Sequence, residues 1–158
     1  MGFIRRIFGQ ASPGSAEPLA LFDSASAANS KKAVTVLAAL DIDAAINAHE
    51  RWKARLMDYL EGRSTESMDP AVIRQDDRSA LGRWLHSVGA ATMGHMPAFA
   101  VLMARHQYFH EQAANMVELA QRGEWNKVVV VLNGGYRHGS SQVVLLLKEL
   151  KRGLEQSS

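Results

Sequence analysis

One stretch of the chain decides the fold, PAFAVLMARHQYFHEQAANMVELAQRG at residues 97–123. Its apolar and aromatic residues recur every three or four positions, which is the spacing of one face of an α-helix. Pro97 suits a first helical turn, where no N–H is needed, and Gly123 suits the end. The inward stripe is Phe99, Leu102, Met103, His106, Phe109, His110, Ala113, Met116, Val117 and Ala120. A long helix with two histidines on its buried face is predicted.

The same periodicity predicts further helices on both sides of this stretch. They run from about Lys32 to Glu61, from Asp76 or Asp77 to Val88, and from Ser140 to Leu154. Residues 128–132 favour a strand by propensity, but a lone strand would have no partner, so a buried helix ended by Gly134-Gly135 is predicted. Polar or glycine-bearing connections are expected at 63–75 and 89–96.

These elements predict an all-α domain, an antiparallel four- to five-helix bundle at residues 33–155. Residues 1–32 are rich in Gly, Ser, Ala and Pro, and a flexible leader is expected there. The first eight residues place Arg5 and Arg6 among Phe and Ile. They form either a short amphipathic segment that touches a membrane or a frayed end.

Composition narrows the possible partners and locations. The 158 residues include 18 Lys and Arg and 16 Asp and Glu, which are interspersed, so no nucleic-acid-binding surface is predicted. No apolar run is long enough for a membrane span, and a cytoplasmic location is expected. The chain has no cysteine, which excludes both disulfides and thiolate metal ligands.

Three histidines fall on predicted core-facing stripes: His49 in the 32–61 helix, and His106 and His110 in the 97–123 helix. Residues four apart on a helix lie on one face, so His106 and His110 can approach a single ion. Zinc would need ring nitrogens at about 2.0–2.1 Å. The alternative for each residue is a buried neutral histidine with satisfied hydrogen bonds. His86 is expected to be exposed or near the site, whereas His95 and His138 are expected to be solvated.

The segments around these histidines resemble a known family. His49-x-x-Trp52, Leu81-Gly82-x-Trp84 and His106-x-x-Phe109-His110, over about residues 40–152, are similar to the chemoreceptor zinc-binding domain. That resemblance implies a bacterial sensory module, found alone or fused to chemotaxis receptors and diguanylate cyclases. It also implies a helical bundle that often dimerises and binds Zn²⁺ through three histidines and one cysteine. The matching histidines are His49, His106 and His110.

The chain departs from the family at the cysteine, whose position is occupied by Ser79. A serine hydroxyl is a poor zinc ligand because it does not readily lose its proton. Three outcomes stay open: water completes the site, held by Ser79 with Asp76 or Asp77; one aspartate is the fourth ligand; or the site is empty or weakly occupied. Redox control through a cysteine is not possible.

We therefore expect a non-catalytic zinc-binding sensor, a homodimer that signals through contacts with a receptor or cyclase. One alternative is a zinc hydrolase with an open tri-histidine site, for which Asp76, Asp77 or Glu50 is the nearest candidate base. The other is a metal-free helical adaptor.

Overall fold

The computed structural model describes residues 18–156, without the side chains of 18–26 and 35–40. This part of the chain contains no strand, which confirms the all-α prediction. Its α-helices are α1 (Pro18–Leu60), α2 (Pro70–Ile73), α3 (Ala80–Trp84), α4 (Ala90–Met93), α5 (Pro97–Gln121), α6 (Trp125–Val131) and α7 (Arg137–Gln156). A 3₁₀ turn covers Asp76–Arg78, and π-helical segments cover Leu85–Gly89 and Leu132–Tyr136.

The three long helices α1, α5 and α7 build the bundle. Lys151 of α7 pairs with Asp43 of α1, whereas Ser140, earlier in α7, contacts His49, later in α1, so α7 runs antiparallel to α1. Gly139 lies against Phe109 and Gly153 against Met96, so α7 is also antiparallel to α5. Consequently α1 and α5 run in the same direction, with α7 packed on both.

The core lies where these helices meet. Its fully buried members include Ile42 and Leu56 from α1, Leu102, Phe109, Met116 and Val117 from α5, and Val143, Leu147 and Leu150 from α7. Leu81 and Leu85 close it from the α3 side. These positions are those of the predicted stripes, and the three histidines lie within the same interior.

The first helix is longer than its apolar pattern. It begins at Pro18, before the predicted start near Lys32, so part of the segment assigned to the leader is helical. Residues 27–34 of this helix are exposed. The expected leader residues 1–17 lie outside the described chain. No helix in the described residues is long and apolar enough to cross a membrane.

The region before the histidine helix differs from its prediction. The loop expected at 63–75 contains α2, for which Asp69 is the N-cap because its side chain accepts the Ala71 N–H. The next helix starts at Ala80 with Ser79 as its N-cap, whereas Asp76 or Asp77 had been predicted for that role. Gly89 does not end it, since the chain continues helically to Met93.

The segment at 128–132 is helical, as predicted, but the prediction that it is buried is wrong. Val128 is buried in α6, whereas Val129 and Val130 are 53% and 72% exposed. The two glycines do not end the helical path either. Gly134 has non-helical backbone angles and produces a kink, after which the chain enters α7.

Candidate metal-binding site

Three buried histidines define the candidate site. His49 lies on α1, and His106 and His110 lie one turn apart on α5, with 3%, 0% and 2% of their surfaces exposed. Buried imidazoles are unusual because each has two polar nitrogens that need partners. Their burial on core-facing stripes agrees with the sequence pattern.

Aromatic rings pack against these histidines. The ring centroids of His106 and His110 are 4.6 Å apart. Trp52 lies 5.0 Å from His110, and Phe109 lies 4.6 Å from His49. The low-polarity surroundings strengthen any electrostatic interaction among the imidazoles.

The two histidines of α5 have defined proton positions. The Nδ1 of His110 lies 2.8 Å from the carbonyl oxygen of Ile73, and the Nδ1 of His106 lies 3.3 Å from Oδ2 of Asp76. Carbonyl and carboxylate oxygens only accept hydrogen bonds, so both Nδ1 atoms donate. In the neutral rings the lone pair is then on Nε2, the atom left to bind a cation.

Asp76 connects this site to the surface. Its Oδ2 also accepts a hydrogen bond from Nε2 of His86, at 3.2 Å, and His86 is itself exposed. Partial burial acts to raise the pKa of the Asp76 carboxyl, but the hydrogen bonds from His86 and His106 outweigh it and hold that pKa below its usual value. Asp76 is therefore ionised and accepts both bonds.

Burial keeps the three histidines neutral. It is the main cause that lowers the pKa of His49 to about 3 and that of His106 to about 4, and neighbouring imidazoles add to the effect. The pKa of His110 is also lowered by burial, although its bond to Ile73 opposes the shift. Neutral imidazole is the form that coordinates metals.

His49 has a different partner. Its Nε2 lies 3.1 Å from the hydroxyl of Ser140, which is itself buried on α7. This contact links residues 91 positions apart. A hydroxyl can donate or accept, so Ser140 is compatible with either neutral form of His49.

Ser79 lies beside the histidines, but its hydroxyl is engaged elsewhere. The Ser79 Oγ accepts the Gly82 N–H at 2.9 Å and donates to the Asp76 carbonyl at 3.1 Å, which caps α3. Nε2 of His106 is 3.5 Å away, outside strong hydrogen-bond range. A side chain at Gly82 would collide with the Asp76 carbonyl, so the Leu81-Gly82-x-Trp84 motif maintains this tight turn.

The structure separates the remaining candidates. Asp77 is exposed and, within residues 18–156, makes no hydrogen bond to the three histidines, whereas Asp76 does. His95 and His138 are exposed, as expected.

The sequence did not predict the contacts of the histidines with Ser140 and with the Ile73 carbonyl, or the link from Asp76 to His86, because no local spacing signals them. Among the described residues, no three His, Asp or Glu side chains are already gathered as a complete metal-ligand set.

Comparison with protein families supports the resemblance inferred from the motifs. Residues 49–117 match the model of the chemoreceptor zinc-binding domain. The matched range is shorter than the 40–152 proposed from sequence, but it contains Ser79, Asp76 and all three histidines. Comparison with curated proteins and with solved structures gives no match.

Proposed function

We propose, on the match of residues 49–117 to the chemoreceptor zinc-binding domain, that the chain is a non-catalytic, cytoplasmic zinc sensor with His49, His106 and His110 as ligands. The family is one of sensory signalling and implies zinc binding. The observation that carries the assignment of ligands is the anchoring of His106 and His110. Each uses Nδ1 for a fixed acceptor and keeps Nε2 free.

The donor set fits zinc without a thiolate. Imidazole nitrogens are common zinc ligands, and sites with three histidines and one open position are known for this ion. The buried rings are neutral, so no proton has to be displaced from them near neutral pH. Hydrogen bonds from ligand histidines to carboxylate and carbonyl oxygens are typical outer contacts of metal sites.

Ser79 and Asp76 have supporting parts in this proposal. Because the Ser79 hydroxyl already caps α3, we assign it a structural role and leave the fourth position to water. Asp76 holds the Nδ1 side of His106, opposite the proposed ligand atom Nε2, and therefore acts as a positioning residue.

The signal would arise from how the site joins two helices. A bound ion supplies a cross-link between α1, which contributes His49, and α5, which contributes the other two histidines. Without it, His49 is held by Ser140 of α7. We propose that exchange between these two arrangements alters the surface presented to a receptor or cyclase partner, and that the domain acts as a homodimer.

Two of the three candidate bases of the hydrolase alternative, Glu50 and Asp76, are already engaged. Glu50 is on the surface and pairs with Lys53 at 3.1 Å, and the Asp76 carboxylate already accepts bonds from two histidines. A general base must be within reach of a water that it can deprotonate. These contacts favour sensing over catalysis.

A zinc titration of metal-free protein against a chromophoric chelator tests the proposal. We expect one zinc per chain, and an affinity at least about 100-fold lower in His106→Gln because one inner ligand is lost. His138→Gln, at an exposed position of α7, is the matched control and should bind as the wild type does. Equal binding by both variants, or a melting temperature unaffected by zinc, would favour the metal-free adaptor.

A further inference from the structure

A cavity opens beside the histidines. It has a volume of about 550 Å³ and lies between α1, the α2 region and the start of α3. His49, His110 and Ser79 line it. Cavities of about 300–1,000 Å³ are typical of small-molecule sites. The cavity is therefore large enough for an organic ligand, and not only for the water proposed at the metal.

The cavity carries an excess of positive charge. Arg51, Arg55, Arg78 and Arg83 line it, against only Glu66 and Asp69 among its acidic residues. The histidines beside them are neutral, so they do not offset this charge or add to it.

Both acidic residues of the cavity are already engaged. Glu66 pairs with Arg55, and Asp69 accepts the Ala71 N–H at the start of α2. Neither carboxylate forms an ion pair with the other arginines of the cavity, Arg51, Arg78 and Arg83.

Three arginines of the cavity have no carboxylate partner in the described part of the chain. Arg78 donates to the Gln75 side chain at 3.0 Å, and Arg83 donates to the Arg78 carbonyl at 2.6 Å. Arg51, on α1, makes no hydrogen bond or ion pair within residues 18–156. A guanidinium binds a carboxylate through two parallel N–H donors, a geometry that suits an anionic ligand.

One part of the cavity wall is apolar. Trp52, Met68, Val72 and Ile73 line it, and Val72 is 46% exposed although it is a large aliphatic residue. An inorganic anion would gain no binding free energy from this apolar surface. A ligand with an apolar group would gain it by covering the surface and removing it from water. The cavity thus combines a cationic rim with an apolar wall.

We propose that this cavity binds a small organic carboxylate. The carboxylate is held by the guanidinium groups of Arg51, Arg78 and Arg83, and the apolar body lies against Trp52 and Val72. This function is separate from zinc binding and requires no metal. Because His49 and His110 line the same cavity, a bound carboxylate would lie against the candidate metal site and influence its occupancy.

Phenylacetate is the probe, with its neutral isostere phenylacetamide as the ligand control. Binding to the full chain is measured in chelator by NMR chemical-shift titration, so that zinc plays no part. We expect saturable binding of phenylacetate, with affinity reduced about tenfold in Arg51→Gln and Arg83→Gln, the loss for one charge-assisted contact. Arg105→Gln, on the exposed side of α5 and outside the cavity, should bind as the wild type does.

Three results would overturn the inference: no binding of phenylacetate, equal binding of phenylacetamide, or equal affinities in all three variants. Inorganic phosphate is titrated in parallel, and phosphate binding as tight as that of phenylacetate would contradict the part assigned to the apolar wall. Failure of the zinc titration leaves this measurement unaffected, so the two proposals fail separately.

Discussion

The Nδ1 of His106 and the Oδ2 of Asp76 lie 3.3 Å apart, although 30 residues separate them in the chain. The 3₁₀ turn at Asp76–Arg78 and the cap at Ser79 bring the carboxylate to α5. Burial keeps His106 neutral, and the contact fixes its tautomer, with the proton on Nδ1 and the lone pair on Nε2. A surface turn thus sets the chemistry of a buried ring.

Asp76→Asn should weaken zinc binding without unfolding the domain. An amide is neutral and can present either a donor or an acceptor to His106, so it fixes the ring less firmly. Loss of such an outer contact typically costs about 10–100-fold in metal affinity. Chelator competition measures the change. Asp77→Asn, next to it but exposed, is the control, and an equal loss in both variants would contradict the role given to Asp76.

Ser79→Ala should show whether the Ser79 hydroxyl caps α3 or binds the metal. Removing the hydroxyl deletes the acceptor of the Gly82 N–H, and loss of an N-cap costs about 0.5–2 kcal/mol of stability. Chemical denaturation of metal-free protein measures this change. Zinc affinity should stay within about threefold, under 1 kcal/mol, of the wild type. A loss of zinc binding comparable with that of His106→Gln would show instead that the hydroxyl is a ligand.

Ser79→Cys is the complementary variant. A thiol at this position lies near Nε2 of His106, from which the present hydroxyl is 3.5 Å away, and thiolates bind zinc strongly. We expect tighter zinc binding together with new sensitivity to oxidation, measured by chelator competition before and after peroxide treatment. Unchanged affinity would mean that residue 79 does not reach the ion.

Stability of the metal-free protein should fall as the pH drops from about 6.5 towards 4. Burial lowers the pKa of His49 to about 3 and that of His106 to about 4, from the usual histidine pKa of about 6.5. In this window the unfolded state binds protons that the native state does not, so lower pH favours unfolding. The cost is about 1.4 kcal/mol per pH unit for each such histidine.

Denaturation across this pH range measures the effect. His106→Gln removes one of the two histidines that take up a proton on unfolding. The free energy of unfolding of this variant should therefore change less steeply with pH, by the amount that corresponds to about one proton. His138→Gln should keep the wild-type slope. A stability that is constant from pH 7 to 4.5 would contradict the buried, neutral state of these histidines.

The homodimer proposed above can be tested at α6. Trp125, Val129 and Val130 are 50%, 53% and 72% exposed, and exposed apolar patches commonly mark protein interfaces. Val130→Glu should therefore shift the molar mass, measured by light scattering, from dimer to monomer. Val34→Glu, at an exposed position of α1, is the control. A wild-type monomer, or a Val130→Glu dimer, would rule out this surface.

Periodicity was enough to predict the helical class and the inward faces of α5 and α7. It also placed all three histidines in the interior, because burial follows the repeat of one helix face. The same reasoning failed for α6, where four valines in a row have no period: Val128 is buried and Val131 packs partly against the core, whereas Val129 and Val130 are exposed. It also did not predict that α1 starts at Pro18, because a composition rich in Gly, Ser, Ala and Pro favours a flexible leader.

The outer contacts of the site could not be read from the sequence. Spacing did not distinguish Asp76 from Asp77, because the choice depends on the backbone of one 3₁₀ turn. Ser140 contacts His49 only because α7 folds back along α1. Ser79 was considered as a metal ligand because it occupies the position of the family's cysteine. Its hydroxyl instead caps α3, and this role could not be predicted without knowing where the helix begins.

X-ray absorption at the zinc edge of the loaded protein tests the central claim most directly. The account predicts a shell of nitrogen and oxygen at about 2.0–2.1 Å, with the multiple scattering of three imidazoles and no sulfur. His49→Gln should reduce the imidazole count by one. A spectrum with fewer than three imidazoles, or one left unchanged by His49→Gln, would contradict the proposed tri-histidine site.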